Sequence, residues 1–165
     1  MKIDLLEWRH LSGIEEAFGN EECVYPIDDG AEDVEYPGDL DYYEVLDAAE
    51  ALFRSSGIRL ASYEDPLLAC ITPEGDVVGA VFAGLYRADE GRTVRFSAAV
   101  SPRARRQRVA WHLINAMVRH YKNSPVDRLE AWVVNPNMAA LLEKMGFDAV
   151  DGEWSQDTPH MELWL

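Results

Sequence analysis

Ala98-Ala99-Val100-Ser101-Pro102-Arg103-Ala104-Arg105-Arg106-Gln107-Arg108-Val109-Ala110 is the stretch on which the fold turns. Ahead of it, Val94, Phe96, Ala98 and Val100 alternate, the period of a strand with one buried face. From Arg105 the period becomes helical, and Ala110, Leu113, Ile114, Met117, Val118 and Tyr121 line one face. A strand ends, the chain turns, and a helix opens among small and basic residues. A helix N-terminus presents unpaired N–H groups and the positive end of its dipole, and both favour an anion such as a pyrophosphate. Arg105, Arg106 and Arg108 add charge there, and arginine forks match phosphate oxygens.

Working outward, Leu67–Thr72, Val77–Leu85 and Val94–Val100 are apolar runs separated by Pro73-Glu74-Gly75-Asp76 and by the turn Ala88–Arg92. That is an antiparallel meander. Tyr42, Val45, Leu46, Ala49 and Phe53 predict a helix over 40–54, with Gly57 as its stop. Downstream, Leu129–Val134 reads as a buried strand ended by Pro136. Met138, Leu141, Leu142 and Met145 then line a short helix closing at Gly146, and Phe147–Val150 and Met161–Leu165 read as closing strands. At the other end, Ile3 and Leu5 alternate like a strand, while Trp8, Leu11, Ile14 and Phe18 fit a loose helical face. Residues 20–39 carry Pro26, Gly30, Pro37 and Gly38 among acids and read as a loop. The order of elements is that of an α+β fold around one mixed sheet.

The 165 residues carry a net charge of -15, but unevenly. Residues 1–50 hold 16 acids against Lys2 and Arg9, a net of -14. Residues 101–128 hold seven bases against Asp127 alone, a local +6. Such a balance disfavours duplex DNA as a partner, since phosphate repulsion opposes it. No apolar run reaches the roughly 18 residues of a membrane span, so no membrane partner is expected. No basic region followed by an apolar stretch opens the chain, and Cys23 and Cys70 lack metal-like spacing. A reduced, cytoplasmic setting is the expectation. His10, His112, His120 and His160 are scattered and define no metal site.

A second stretch, Asn135-Pro136-Asn137-Met138-Ala139-Ala140-Leu141-Leu142-Glu143-Lys144-Met145-Gly146-Phe147, places an asparagine after a strand, then a short helix, then Gly-Phe. With Val100-Ser101-Pro102 and the loop Arg105 to Ala110 upstream, it resembles the GNAT N-acetyltransferase superfamily. The family's loop reads Arg/Gln-x-x-Gly-x-Gly/Ala, and its later motif Asn-x-x-Ala-x-x-Leu-Tyr-x-Lys-x-Gly-Phe. Leu141, Lys144, Gly146 and Phe147 are in place. Two departures stand out. Arg108 occupies the position of the central loop glycine, and Leu142 that of the frequent general-acid tyrosine.

The resemblance implies a mostly antiparallel sheet flanked by helices, in a single domain over 1–165. Within it, 1–39 is an acidic N-terminal segment and 65–150 the cofactor-binding core. It also implies acetyl-CoA as co-substrate, held by Ala98, Ala99, Val100, Arg105, Arg106, Gln107, Arg108, Val109, Ala110 and Asn135. The implied reaction is transfer of an acetyl group to a primary amine, on a small molecule or a protein. The acidic region around 15–47 suggests that this acceptor is cationic. Glu130, acting through water, is a candidate base; its structural alternative is a solvent-facing strand-end carboxylate. Ser97 is a candidate weak donor in place of the missing tyrosine, or else a packed small residue. Trp111, Trp132 and Trp164 read as core, with Trp132 alternatively lining an acceptor pocket that Tyr42 and Tyr43 border. A second reading, from Arg108 and Leu142, is a catalytically impaired module whose acidic region binds a basic partner. Whether two copies form a homodimer is left open.

Overall fold

Alternating side chains on the central strands separate into two cores, one on each face of a single sheet. A computed structural model describes residues 23–27, 34–88, 91–150 and 159–165. The strand and helix readings of residues 1–20, and residues 28–33 of the acidic segment, lie outside the described residues.

The strands are β1 (Cys23–Pro26), β2 (Asp65–Ile71), β3 (Val77–Ala88), β4 (Gly91–Val100), β5 (Arg128–Trp132), β6 (Asp148–Val150) and β7 (His160–Trp164). Among the described residues the helices are α1 (Tyr42–Ser55), α2 (Val109–Lys122) and α3 (Pro136–Lys144). The strands form one seven-stranded sheet in the order β1-β2-β3-β4-β5-β7-β6. Every pairing is antiparallel except β4 with β5, which are joined through α2 and run parallel. The expected α+β, mostly antiparallel architecture is the one observed.

Asp41 starts α1 by a capping box: its Oδ1 accepts from the Glu44 N–H at 2.8 Å, and Glu44 Oε2 accepts from the Asp41 N–H at 2.9 Å. The helix buries Val45, Ala49, Leu52 and Phe53 against Ala69, Ile71, Ala80, Phe82 and Ala99. Phe53 and Phe82 meet edge to face at 4.9 Å. On the opposite face α2 buries Leu113, Ile114, Met117 and Tyr121 against Leu68, Cys70, Val81, Val94, Phe96 and Leu129.

Two glycines allow close approaches that position the site. A Cβ on Gly79 would sit 2.6 Å from Val109 Cγ1 and 2.8 Å from Leu113 Cδ1, so the first turn of α2 rests directly on β3. A Cβ on Gly84 would overlap the Tyr63 carbonyl, so the segment entering β2 crosses the sheet there. Gly84 is paired with Arg95, which brings Tyr63 and Glu64 over the middle of β4.

Three sequence expectations are corrected. Residues 20–39 are not all loop, because Cys23–Pro26 pairs with β2. The helix begins at Val109, not Arg105, because Arg106 and Arg108 are in the left-handed region at φ 68° and 64°. Trp132 and Trp164 are not core residues, being 36% and 55% exposed.

Candidate active site

The loop before α2 is fixed at both ends. Ser101 N–H donates to the Val78 carbonyl at 2.8 Å, and Ala104 is buried beneath a single 3-10 turn, Pro102–Ala104. Arg103, Arg105, Arg106, Gln107 and Arg108 are exposed. Gln107 Nε2 donates to the Arg103 carbonyl at 3.1 Å, and Arg103 pairs with Asp76 at 3.1 Å. Arg108 is the N-cap residue of α2 but supplies no side-chain cap. The N–H groups of the first turn, from Val109 and Ala110 onward, thus point from the helix without an intrahelical acceptor.

Beside this loop the sheet splits. β4 and β5 pair only at Thr93↔Arg128, Val94↔Leu129 and Arg95↔Glu130. β4 continues to Val100 and β5 to Trp132, so Phe96–Val100 form no ladder with β5. Ala98, Ala99 and Val100 lie on that open edge, leading straight into the arginine-rich loop. Across the gap Asn135 caps α3, its Oδ1 accepting from the Asn137 N–H at 2.9 Å. The structure thus gives Asn135 the local role that an asparagine before a helix commonly has.

Where the strands part, polar side chains gather on the α1 face. Glu130 has a side chain only 4% exposed, and its Oε1 accepts from Arg95 Nε at 2.8 Å and Nη2 at 2.7 Å. Arg95 Nη1 donates to the Tyr63 hydroxyl at 2.7 Å. The Arg95 guanidinium lies 4.8 Å from the Tyr86 ring centre and 5.8 Å from that of Trp132. Glu130 Oε2 is 3.2 Å from His160 Nε2, and the His160 ring stacks on Trp132 at 4.4 Å and 12°. Nearby, Ser97 Oγ donates to Glu64 Oε1 at 2.8 Å, while Glu64 Oε2 accepts from the Ala61 N–H at 2.6 Å.

The charges follow from this geometry. Burial alone would lower the Arg95 pKa, but the hydrogen bonds and charge of Glu130 outweigh it and hold Arg95 above its ordinary value. Burial raises the Tyr63 hydroxyl, with Arg95 pulling the other way. On α2, burial and then Arg108 push His112 below the ordinary imidazole value.

The family model for the acetyltransferase (GNAT) family matches residues 31–147. The chain belongs to that family. No curated protein matches the chain. Among solved structures, NAA60 of Arabidopsis thaliana with acetyl-CoA is similar at a TM-score of 0.62 and 18% identity, covering 87% of this chain and 98% of that one. yncA of Salmonella typhimurium, also solved with acetyl-CoA, is similar at 0.55 and 16%, covering 88% and 94%. A phosphinothricin acetyltransferase from Sinorhizobium meliloti, again with acetyl-CoA, is similar at 0.52 and 19%, covering 77% and 71%. The co-substrate expected from the sequence is the one those GNAT structures hold.

The residues present fit acetyl-CoA as a GNAT protein would hold it. The edge of β4 that β5 leaves open offers backbone groups to an amide-bearing chain, and a left-handed loop feeding a helix N-terminus offers N–H groups to phosphate. Arg108 replaces the family glycine yet keeps the conformation that glycine favours, with φ 64° and ψ 10°. Leu142, at the family's tyrosine position, is fully buried in the α2-side core and offers no proton.

Of the expected catalytic residues, Glu130 is a buried, ion-paired carboxylate and not a solvent-facing one, and Ser97 gives its proton to Glu64. Tyr63, Glu64 and Arg95 escaped the sequence reading, and His160 entered it only as one of four scattered histidines. A signal for one of them, Arg95, existed. Glu130 interrupts the apolar run Leu129–Val134, and Arg95 sits between Val94 and Phe96. A charge inside each of two buried strands calls for a partner of opposite sign.

Proposed function

We propose that this GNAT protein transfers the acetyl group of acetyl-CoA to a primary amine. The observation that carries the reading is the parting of β4 and β5 after Arg95 and Glu130, opening toward the loop Arg105–Ala110 at the start of α2. Arg105, Arg106, Gln107, Arg108, Val109 and Ala110 would hold the pyrophosphate through backbone N–H groups and guanidinium charge. The edge Ala98–Val100, with Asn135 opposite, would receive the pantetheine amides. Bound acetyl-CoA supplies an activated acyl group as a thioester. The chain's part is to position that carbonyl, admit a neutral amine and take its proton.

The acceptor we favour is cationic: a polyamine, an amino sugar, or a lysine or N-terminus of a basic protein. Support comes from the net -14 of residues 1–50. The test is thiol release from acetyl-CoA across a panel of such amines, with acidic and neutral amines as controls. Cationic acceptors should show the higher kcat/KM, and the advantage should shrink with added salt. Turnover of no amine despite acetyl-CoA binding would favour the impaired-module reading, to which the buried Leu142 gives its one structural support.

A further inference from the structure

Glu130, the carboxylate expected to act as base, is already committed. Its Oε1 takes two N–H groups from Arg95, and its Oε2 faces His160 Nε2 at 3.2 Å. A carboxylate tied to a guanidinium is an acceptor, so the imidazole nitrogen facing it is the one that carries hydrogen. In the neutral ring this assigns the proton to Nε2 and leaves the lone pair on Nδ1. The ring cannot readily turn away from this arrangement, because it lies flat against Trp132, 12° from parallel. Its side chain is 19% exposed, so the ring is in part open to solvent. A carboxylate that orients an imidazole, with the second nitrogen left basic, is the relation found in hydrolytic triads.

We propose that His160 is the proton acceptor of the acetyl transfer, with Glu130 and Arg95 as positioning residues. The inference rests on the acetyltransferase reading above. His160 Nδ1 takes the proton that an ammonium acceptor must lose before its nitrogen can attack. As the new N–C bond forms, the C–S bond of the thioester breaks. The second nitrogen proton leaves with the sulfur as thiol, and the imidazolium returns its proton to solvent. Among the described residues, the charged groups around His160 are Glu130 on β5, Arg95 on β4 beyond it, Glu162 on β7 itself, Arg128 paired with Glu162 at 3.1 Å, and Asp148 of β6 opposite Glu162. This mixture of signs keeps the imidazole close to a carboxylate without enclosing it in uncompensated charge.

The experiment uses the full chain, spermidine and a lysine-bearing peptide as acceptors, and four proteins: wild type, His160→Gln, His160→Asn and Glu130→Gln. Thiol release is followed from pH 5.5 to 9, acetyl-CoA affinity is measured by calorimetry, and the His160 ring protons are titrated by NMR. The expected result is a kcat loss of about 100-fold in both His160 variants, within the range for a lost general base. Acetyl-CoA affinity should stay within about twofold, and the acidic limb of the rate profile that an imidazole base imposes should disappear. Glu130→Gln should keep that limb but displace it together with the NMR titration of His160. Wild-type turnover with kcat and acidic limb unchanged in His160→Gln or His160→Asn would overturn this inference alone. Absence of thiol release by wild type with every amine would overturn it together with the acetyltransferase reading.

Discussion

Arg95→Met removes the cation that Glu130 was buried with. Glu130 is 4% exposed and would keep only His160, at 3.2 Å, while the Arg95 side chain is itself 25% exposed. Breaking a buried pair by deleting one partner costs about 3–5 kcal/mol. Partial solvent access at Arg95 and the nearby imidazole recover part of that, leaving an expected loss of about 2–3 kcal/mol. For a chain of this size the melting temperature should fall by about 4–12 °C. The loss has a defined pH dependence. Without Arg95 the buried carboxylate is left uncompensated, and adding a proton relieves that cost. The deficit should therefore be smallest at acidic pH and grow as pH rises. Urea unfolding of wild type, Arg95→Met, Glu130→Gln and the double variant, at pH 5.5 and 8, completes a thermodynamic cycle. The double variant should recover at least about 1 kcal/mol relative to the sum of the singles. A deficit below about 0.5 kcal/mol, or strict additivity, would refute the claim that these two groups form one buried unit.

Further outcomes follow from the same geometry. Gly84→Ala must displace the Tyr63 carbonyl, so it should cost about 2–3 kcal/mol in a denaturation curve. Arg108→Gly should gain about 0.5–1 kcal/mol by relieving the left-handed φ of 64°, whereas Arg108→Ala, which keeps a Cβ, should be neutral. His112 has a folded pKa below its ordinary 6.5, so the unfolded chain binds its proton first. Stability should fall as pH drops through 6.5, and His112→Gln should flatten that part of a stability-against-pH curve.

The architecture was legible where side-chain period and burial agree. The stripe from Ala110 to Tyr121 and the alternation of Val94, Phe96, Ala98 and Val100 each have one apolar face, and the fold uses both. β1 left no such trace: four residues ending at Pro26 are too short to show a period among flanking acids. The start of α2 was misplaced because left-handed backbone is normally announced by glycine, and here arginines adopt it. Within the site, the loop and the β4 edge are contiguous in sequence and could be read directly. The Arg95–Glu130–His160 cluster could not. Its members are 35 and 30 residues apart, and only the strand register brings them together.

The most direct test is calorimetric titration of acetyl-CoA into the full chain and into Arg105→Ala, Arg106→Ala and Arg119→Ala. Saturable one-site binding is expected for wild type. Removing a phosphate-facing guanidinium should weaken it about tenfold for Arg105→Ala and Arg106→Ala, while Arg119→Ala, near the far end of α2, should stay within about twofold. No heat of binding at millimolar acetyl-CoA, or equal losses in all three variants, would contradict a co-substrate site built on the parted strands and the loop before α2.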